Sequence, residues 1–102
     1  MSDIIVVKRD GVEVPYDSEK IVIAVSKAIK EVEGSLDNKH LAENIAKSVD
    51  SYMEAYSVEC ITVEEIQDLV EDMLIYGGNY PEIARAYIRY RYKKEVARGH
   101  RD

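Results

Sequence analysis

The chain has no tryptophan and no phenylalanine, and its only cysteine is Cys60. A lone thiol excludes an internal disulfide and a cysteine-based zinc site, because each needs at least a second one. With those two aromatics missing, the core has to be built from aliphatic side chains and from tyrosine, which occurs eight times. Proline occurs twice and glycine five times, and no stretch has the composition of a linker or a low-complexity segment. No apolar run approaches the length that a membrane span requires. Met1-Ser2-Asp3 carries no basic side chain, and the apolar run behind it, Ile4 to Val7, is too short for a signal peptide. The sequence therefore predicts a soluble, cytoplasmic protein or domain. Glycine-rich phosphate loops, dinucleotide fingerprints and metal-ligand spacings are all missing.

What is present fits one domain. The 102 residues are 46% apolar and 33% charged, the balance of a globular chain. A chain this long buries roughly two thirds of its unfolded surface, enough for one core. The formal net charge of −6 argues against broad nucleic-acid binding and makes such a partner unlikely on composition alone. The charge is unevenly spread. Seven cations (Arg85, Arg89, Arg91, Lys93, Lys94, Arg98, Arg101) face one acid, Glu95, at the C-terminal end, while the stretch from Glu31 to Asp72 is acidic. An acidic chain with one basic end can hold a discrete anion without coating itself in polyanion.

Ile4 to Val7 is β-branched and apolar, hence a strand. Asp10-Gly11 predicts a type I′ hairpin turn, and Val12 to Tyr16 the return strand, with Val12 and Val14 on one face. Pro15 cannot donate to a ladder, which puts this strand at an edge or ends it there. Asp17 or Ser18 caps a helix whose apolar stripe is Ile21, Val25, Ala28, Ile29 and Val32. Gly34 stops it, and Gly34 to Asn38 is a loop. A second helix from about Lys39 to Tyr56 buries Leu41, Ile45, Val49, Tyr52, Met53 and Tyr56. Val58 to Ile61 is a candidate third strand. Thr62 and Glu65 have capping-box spacing and open a helix that buries Ile66, Leu69, Val70, Met73 and Leu74 before Gly77-Gly78. Pro81 suits the first turn of a fourth helix, which buries Ile83 or Ala84, Tyr87, Ile88 and Val96 and turns Arg85, Arg89 and Lys93 outward. The expected fold is α+β: a small four-helix bundle capped by a β-hairpin-based, three-stranded sheet. Residues 3–97 form the expected domain and residues 98–102 a flexible tail.

Lys8-Arg9 is the first candidate site. Spacing alone favours a solvated hairpin tip. The sharper reading is a phosphate clamp, and three features raise it. Lys20 lies in the first turn of the first helix, where free backbone N–H groups already favour an anion. Asp17, just before it, suits ribose hydroxyls. The last helix supplies further cations if it returns to the hairpin. Charge-assisted hydrogen bonds contribute roughly 1.5–3 kcal/mol each. A few of them with an apolar slot for a base reach micromolar binding, about −8 kcal/mol. Tyr87, Tyr90 and Tyr92, interleaved with Arg89 and Arg91, raise nucleic-acid stacking as a minor reading. Helical spacing gives Tyr87 to the core and leaves Tyr90 and Tyr92 for an interface. The alternative function is thus a helical protein-interaction or dimerisation module without nucleotide binding. Catalysis finds no support, and no metal site is expected. His40 and His100 fall in polar surroundings, Cys60 reads as a small buried hydrophobe, and Glu64-Glu65 and Glu71-Asp72 serve capping and a solvated face.

Together, Val6-Val7-Lys8-Arg9-Asp10-Gly11, Val14-Pro15-Tyr16, Glu19-Lys20-Ile21, Ile61-Thr62-Val63-Glu64-Glu65-Ile66-Gln67 and Ala84-Arg85-Ala86-Tyr87-Ile88-Arg89-Tyr90-Arg91 resemble the ATP-cone domain. This is the regulatory nucleotide-binding module at the N-terminus of many ribonucleotide reductases, found also in a bacterial repressor of reductase genes. The resemblance runs from about Ile4 to about Ala97. The segment from Arg85 to Arg91 is most similar to the anaerobic, glycyl-radical (class III) ribonucleoside-triphosphate reductase. The resemblance implies an effector, ATP or dATP, with Mg2+ as an optional companion. It implies an activity switch that ATP leaves on and dATP turns off, usually through a change of oligomeric state. Carried over by position, Val6 and Val7 would line the base, Lys8 and Arg9 would hold phosphates, Asp17 would meet the ribose and Lys20 would reach the phosphates. Thr62 and a cation of the last helix, Arg91 or Lys94, would join them. The implied partners are adenine nucleotides, the catalytic domain of a parent reductase and a further copy of the chain. Without a glycyl-radical segment or a cysteine set for radical chemistry, the chain would be the regulatory domain alone. A repressor would need a cysteine-rich zinc ribbon, which one cysteine excludes for this chain.

Overall fold

A computed structural model describes residues 4–33, 39–77 and 80–99. The expected loop at Gly34 to Asn38, the glycine Gly78 and the tail beyond Gly99 lie outside the described residues, as do the side chains of Lys94, Val96 and Arg98.

β-Branched residues make the sheet. Strand β1 (Ile5–Val7) pairs antiparallel with β2 (Glu13–Pro15) and parallel with β3 (Cys60–Thr62), in the order β2-β1-β3. Val6 is the pivot, opposite Val14 on one side and Ile61 on the other. Pro15 lies on the edge strand, where its missing N–H breaks no ladder. Val6 and Ile61 are buried because successive strand residues alternate faces. The same alternation corrects the expectation for Cys60. It is exposed, because it sits one place before the core-facing Ile61.

The hairpin turn also differs from expectation. The backbone N–H of Lys8 donates to the Val12 carbonyl at 2.8 Å, and that of Gly11 to the Lys8 carbonyl at 2.9 Å. Only Gly11 in this turn has positive φ, at 88°. A type I′ turn needs positive φ at two adjacent residues, whereas a three-residue loop ending in a bulge needs it at one. The Asp10 carboxylate accepts instead from the Val12 N–H at 3.1 Å.

Four helices follow the order expected: α1 (Glu19–Glu33), α2 (Lys39–Ala55), α3 (Val63–Asp72) and α4 (Pro81–Gly99). The Asp17 carboxylate caps α1 by accepting from the Glu19 N–H at 3.0 Å. Both bonds of the capping box form: the Glu65 N–H reaches Thr62 Oγ1 at 3.1 Å, and the Thr62 N–H reaches Glu65 Oε1 at 3.0 Å. Helix α2 closes on Ser57, whose φ is 52°, with the Val58 N–H returning to the Met53 carbonyl at 2.9 Å. A single π-helical turn (Met73–Gly77) extends α3, and the Tyr80 N–H closes it on the Leu74 carbonyl at 2.7 Å.

Helix α1 packs against both α2 and α4. Val25, Ile29, Val49, Met53, Val70 and Leu74 are the largest fully buried side chains. Three expected core residues are not in the core. Tyr52, Tyr56 and Ile88 are 37%, 70% and 40% exposed. The buried line of α2 runs Leu41, Ile45, Val49, Met53, and Tyr52 sits about 100° off it. Tyr56 falls beyond the helix end, its ring 4.6 Å from that of Tyr52. Among the described side chains of α4 the buried ones are Ile83, Ala84, Ala86 and Tyr87, so alanines rather than Ile88 meet the neighbouring helix.

Candidate functional site

Sheet, α1, α3 and α4 leave a cleft of about 440 Å³ between them. Val6, Val14, Ile21, Ala24, Ile66 and Tyr87 give it an apolar lining. Lys8 from the hairpin, Lys20 and Lys27 from α1, and Arg91 from α4 bring cations to it, against the carboxylate of Asp17 alone among the described residues. Among the described residues, no histidine or cysteine lines it. A cleft so built suits a ligand with a flat apolar body and an anionic tail.

The expected site residues separate into those the fold gathers and those it does not. Val6, Lys8, Asp17, Lys20 and Arg91 all line the cleft. Val7 does not, because it points to the other face of β1 from Val6. Arg9 leaves the cleft as well and pairs with Glu64 at the start of α3, 3.1 Å away. Thr62 lies outside the lining with its hydroxyl in the capping box. Lys94 has no described side chain.

The cations differ electrostatically. Lys8 and Lys20 are exposed and form no ion pair among the described residues. Arg91 is only 17% exposed and binds Asp68 Oδ1 at 2.9 Å and Glu71 Oε2 at 2.6 Å. Burial pulls its pKa down, but its hydrogen bonds to Glu71 and Asp68 together with their negative charges outweigh burial and raise it above the ordinary value. Lys27 Nζ reaches the Tyr90 hydroxyl at 3.3 Å and lies 5.3 Å from that ring's centre. Tyr90, expected at an interface, therefore belongs to the cleft, while Tyr92 is 67% exposed. Burial, then the 2.5 Å bond to Asp50, pushes the Tyr16 hydroxyl above the usual tyrosine range. Tyr87 is pushed the same way by burial and then by the charge of Glu71.

Sequence reasoning missed Lys27, Gln67 and Tyr16 as lining residues. Lys27 had a signal. Lys20, Ala24 and Lys27 recur at helical spacing, so one face of α1 carries both lysines with an apolar patch between. Gln67 had its place at the end of the family-like segment Ile61 to Gln67, one residue after Ile66.

A three-stranded sheet on a helical bundle, with an apolar cleft edged by cations, defines a small α+β ligand-pocket domain. Residues 4–96 match the ATP cone domain, and the chain belongs to that family. It is 39% identical over 93 residues to the anaerobic ribonucleoside-triphosphate reductase of Salmonella typhimurium, a match covering 91% of this chain and 12% of that protein. It is 40% identical over 98 residues to the vitamin B12-dependent ribonucleoside-diphosphate reductase of Thermoplasma acidophilum, again covering 91% and 12%. A ribonucleoside-diphosphate reductase subunit alpha of Chlamydia pneumoniae is 32% identical over 107 residues, covering 99% of this chain and 10% of that one. The chain thus spans 12% of the length of the first two relatives. Allosteric nucleotide binding fits the domain family. Among the described residues, no helix is long and apolar enough to cross a membrane.

Proposed function

We propose that this chain is an allosteric domain that binds ATP or dATP and controls the overall activity of a ribonucleotide reductase. The observation that carries the reading is the convergence of Lys8 and Lys20 on a cleft lined by Val6, Ile21 and Ile66. The apolar lining takes the base and the two lysines take the phosphates. Asp17 offers a carboxylate to the ribose beside the start of α1, whose first turn carries Lys20. Mg2+ would arrive on the phosphates, which is how this ion is commonly held. The chain itself does no catalysis in this reading; its partners are the reductase's catalytic domain and, when nucleotide drives assembly, further copies of itself. A coupling of about 1–3 kcal/mol between nucleotide and assembly is typical of such switches.

Titration calorimetry with ATP and with dATP is the direct test. Both are expected to bind, with Kd on the order of micromolar. If neither produces a binding signal at millimolar concentration, the reading is wrong.

A further inference from the structure

Gln67 stands on α3 in the wall of the cleft, beside Ile66 and one turn after Val63, which line it too. Its Oε1 is buried with no hydrogen-bond partner, and among the described residues no other side chain has a buried nitrogen or oxygen in that state. A buried acceptor without a donor has lost its water and gained nothing in exchange. Such orphans are rare in folded proteins. Two cations that line the same cleft have partners of their own. Arg91 binds Asp68 and Glu71, and Lys27 reaches Tyr90. Packing alone does not call for an amide here, since methionine has a similar volume and flexibility. Because Gln67 lines the cleft, a small turn of its side chain brings Oε1 to a donor held there.

We propose that Gln67 reads the edge of the base, its Oε1 accepting a hydrogen bond from the exocyclic 6-amino group of adenine. This rests on the adenine-nucleotide reading above and assigns its base selectivity to one residue. The apolar lining grips the faces of a flat ring and says nothing about its substituents. A polar group that is left unpaired by the wrong base is what turns a slot into a selective one. An amide can turn over and offer its NH2 to a 6-oxo purine, so the clean contrast is a purine with only hydrogen at C6.

The experiment is calorimetry of the wild-type chain and of Gln67→Met with ATP and with purine riboside 5′-triphosphate, which lacks the 6-amino group. The wild type is expected to bind ATP on the order of tenfold more tightly than the analogue. Gln67→Met is expected to bind the two with affinities within about twofold of each other. Its ligand-free form should melt no lower than the wild type, because the orphan acceptor is gone. Equal affinity of the wild type for both nucleotides overturns the assignment, whatever the variant does. A preference for ATP that survives in Gln67→Met overturns it too. In both cases nucleotide binding itself stands. If the wild type binds neither triphosphate, the adenine-nucleotide reading falls and the assignment falls with it.

Discussion

Replacing Lys8 or Lys20 should weaken triphosphate binding and leave the ligand-free fold alone, while replacing Arg91 should damage the fold. The structure sets the contrast. Lys8 and Lys20 are exposed and unpaired among the described residues, so Lys8→Ala and Lys20→Ala remove no intramolecular ion pair. Each would lose a charge-assisted hydrogen bond to phosphate, worth roughly 1.5–3 kcal/mol. Their exposure and salt screening favour the low end of that range, so each Kd should rise on the order of tenfold. The melting temperature without ligand should not move, since surface changes away from caps and cores stay within about 0.5 kcal/mol. Arg91 is different. At 17% exposure it holds Asp68 and Glu71, and Glu71 is itself only 20% exposed. Arg91→Ala strands the Glu71 carboxylate, which costs roughly 1–3 kcal/mol. Calorimetry at fixed salt and thermal melts of the ligand-free proteins read both quantities. The reasoning is refuted if Lys8→Ala melts as early as Arg91→Ala, or if both lysine variants keep the wild-type Kd.

Ser57 holds φ at 52°, a conformation that costs an L-residue roughly 1–2 kcal/mol and glycine much less. Ser57→Gly should stabilise the chain by about 0.5–1 kcal/mol after the extra unfolded-state entropy of glycine is counted. Thermal melting checks this, and a lowered midpoint would contradict it. Tyr16 has a raised folded-state pKa, so its neutral hydroxyl stabilises the fold fully below about pH 10, where the unfolded chain's tyrosine begins to ionise, and progressively less above it. Tyr16→Phe should lower stability at neutral pH by about 1 kcal/mol through the lost bond to Asp50, and should flatten the decline above about pH 10. Urea midpoints across that range decide it; an unchanged alkaline slope would remove Tyr16 as its source.

Local chemistry was readable in the sequence where a rule acts over a few residues. The box between Thr62 and Glu65, the edge position of Pro15 and the start of α4 at Pro81 all follow from what those residues can and cannot bond. The α+β class followed from the same reasoning. Contacts between distant segments were less legible. Nothing near Ile61 announces that it will lie parallel to Val6, and nothing near Arg91 announces Asp68 and Glu71. The separate fates of Val6 and Val7, and of Lys8 and Arg9, depend on strand alternation and on the type of the turn. Asp-Gly is compatible with more than one loop, and only the backbone bonds from Lys8 to Val12 and from Gly11 to Lys8 select among them. The cleft itself depends on three helices and a sheet meeting; the order of residues showed Lys8, Asp17 and Lys20 of its rim, the resemblance added Val6 and Arg91, and Lys27 was in neither.

The cleft is walled by residues from Val6 near one end of the described chain to Arg91 near the other. Anything bound there acts as a clasp between segments far apart in the sequence. Unfastening any one wall forfeits the whole ligand, so occupancy should make separate parts of the domain melt as one. At a concentration about a hundredfold above Kd, that fastening adds about 2.7 kcal/mol, a large share of what a small domain has. A domain fastened in this way reports occupancy through its rigidity, and a neighbour packed against it could sense the difference without touching the ligand.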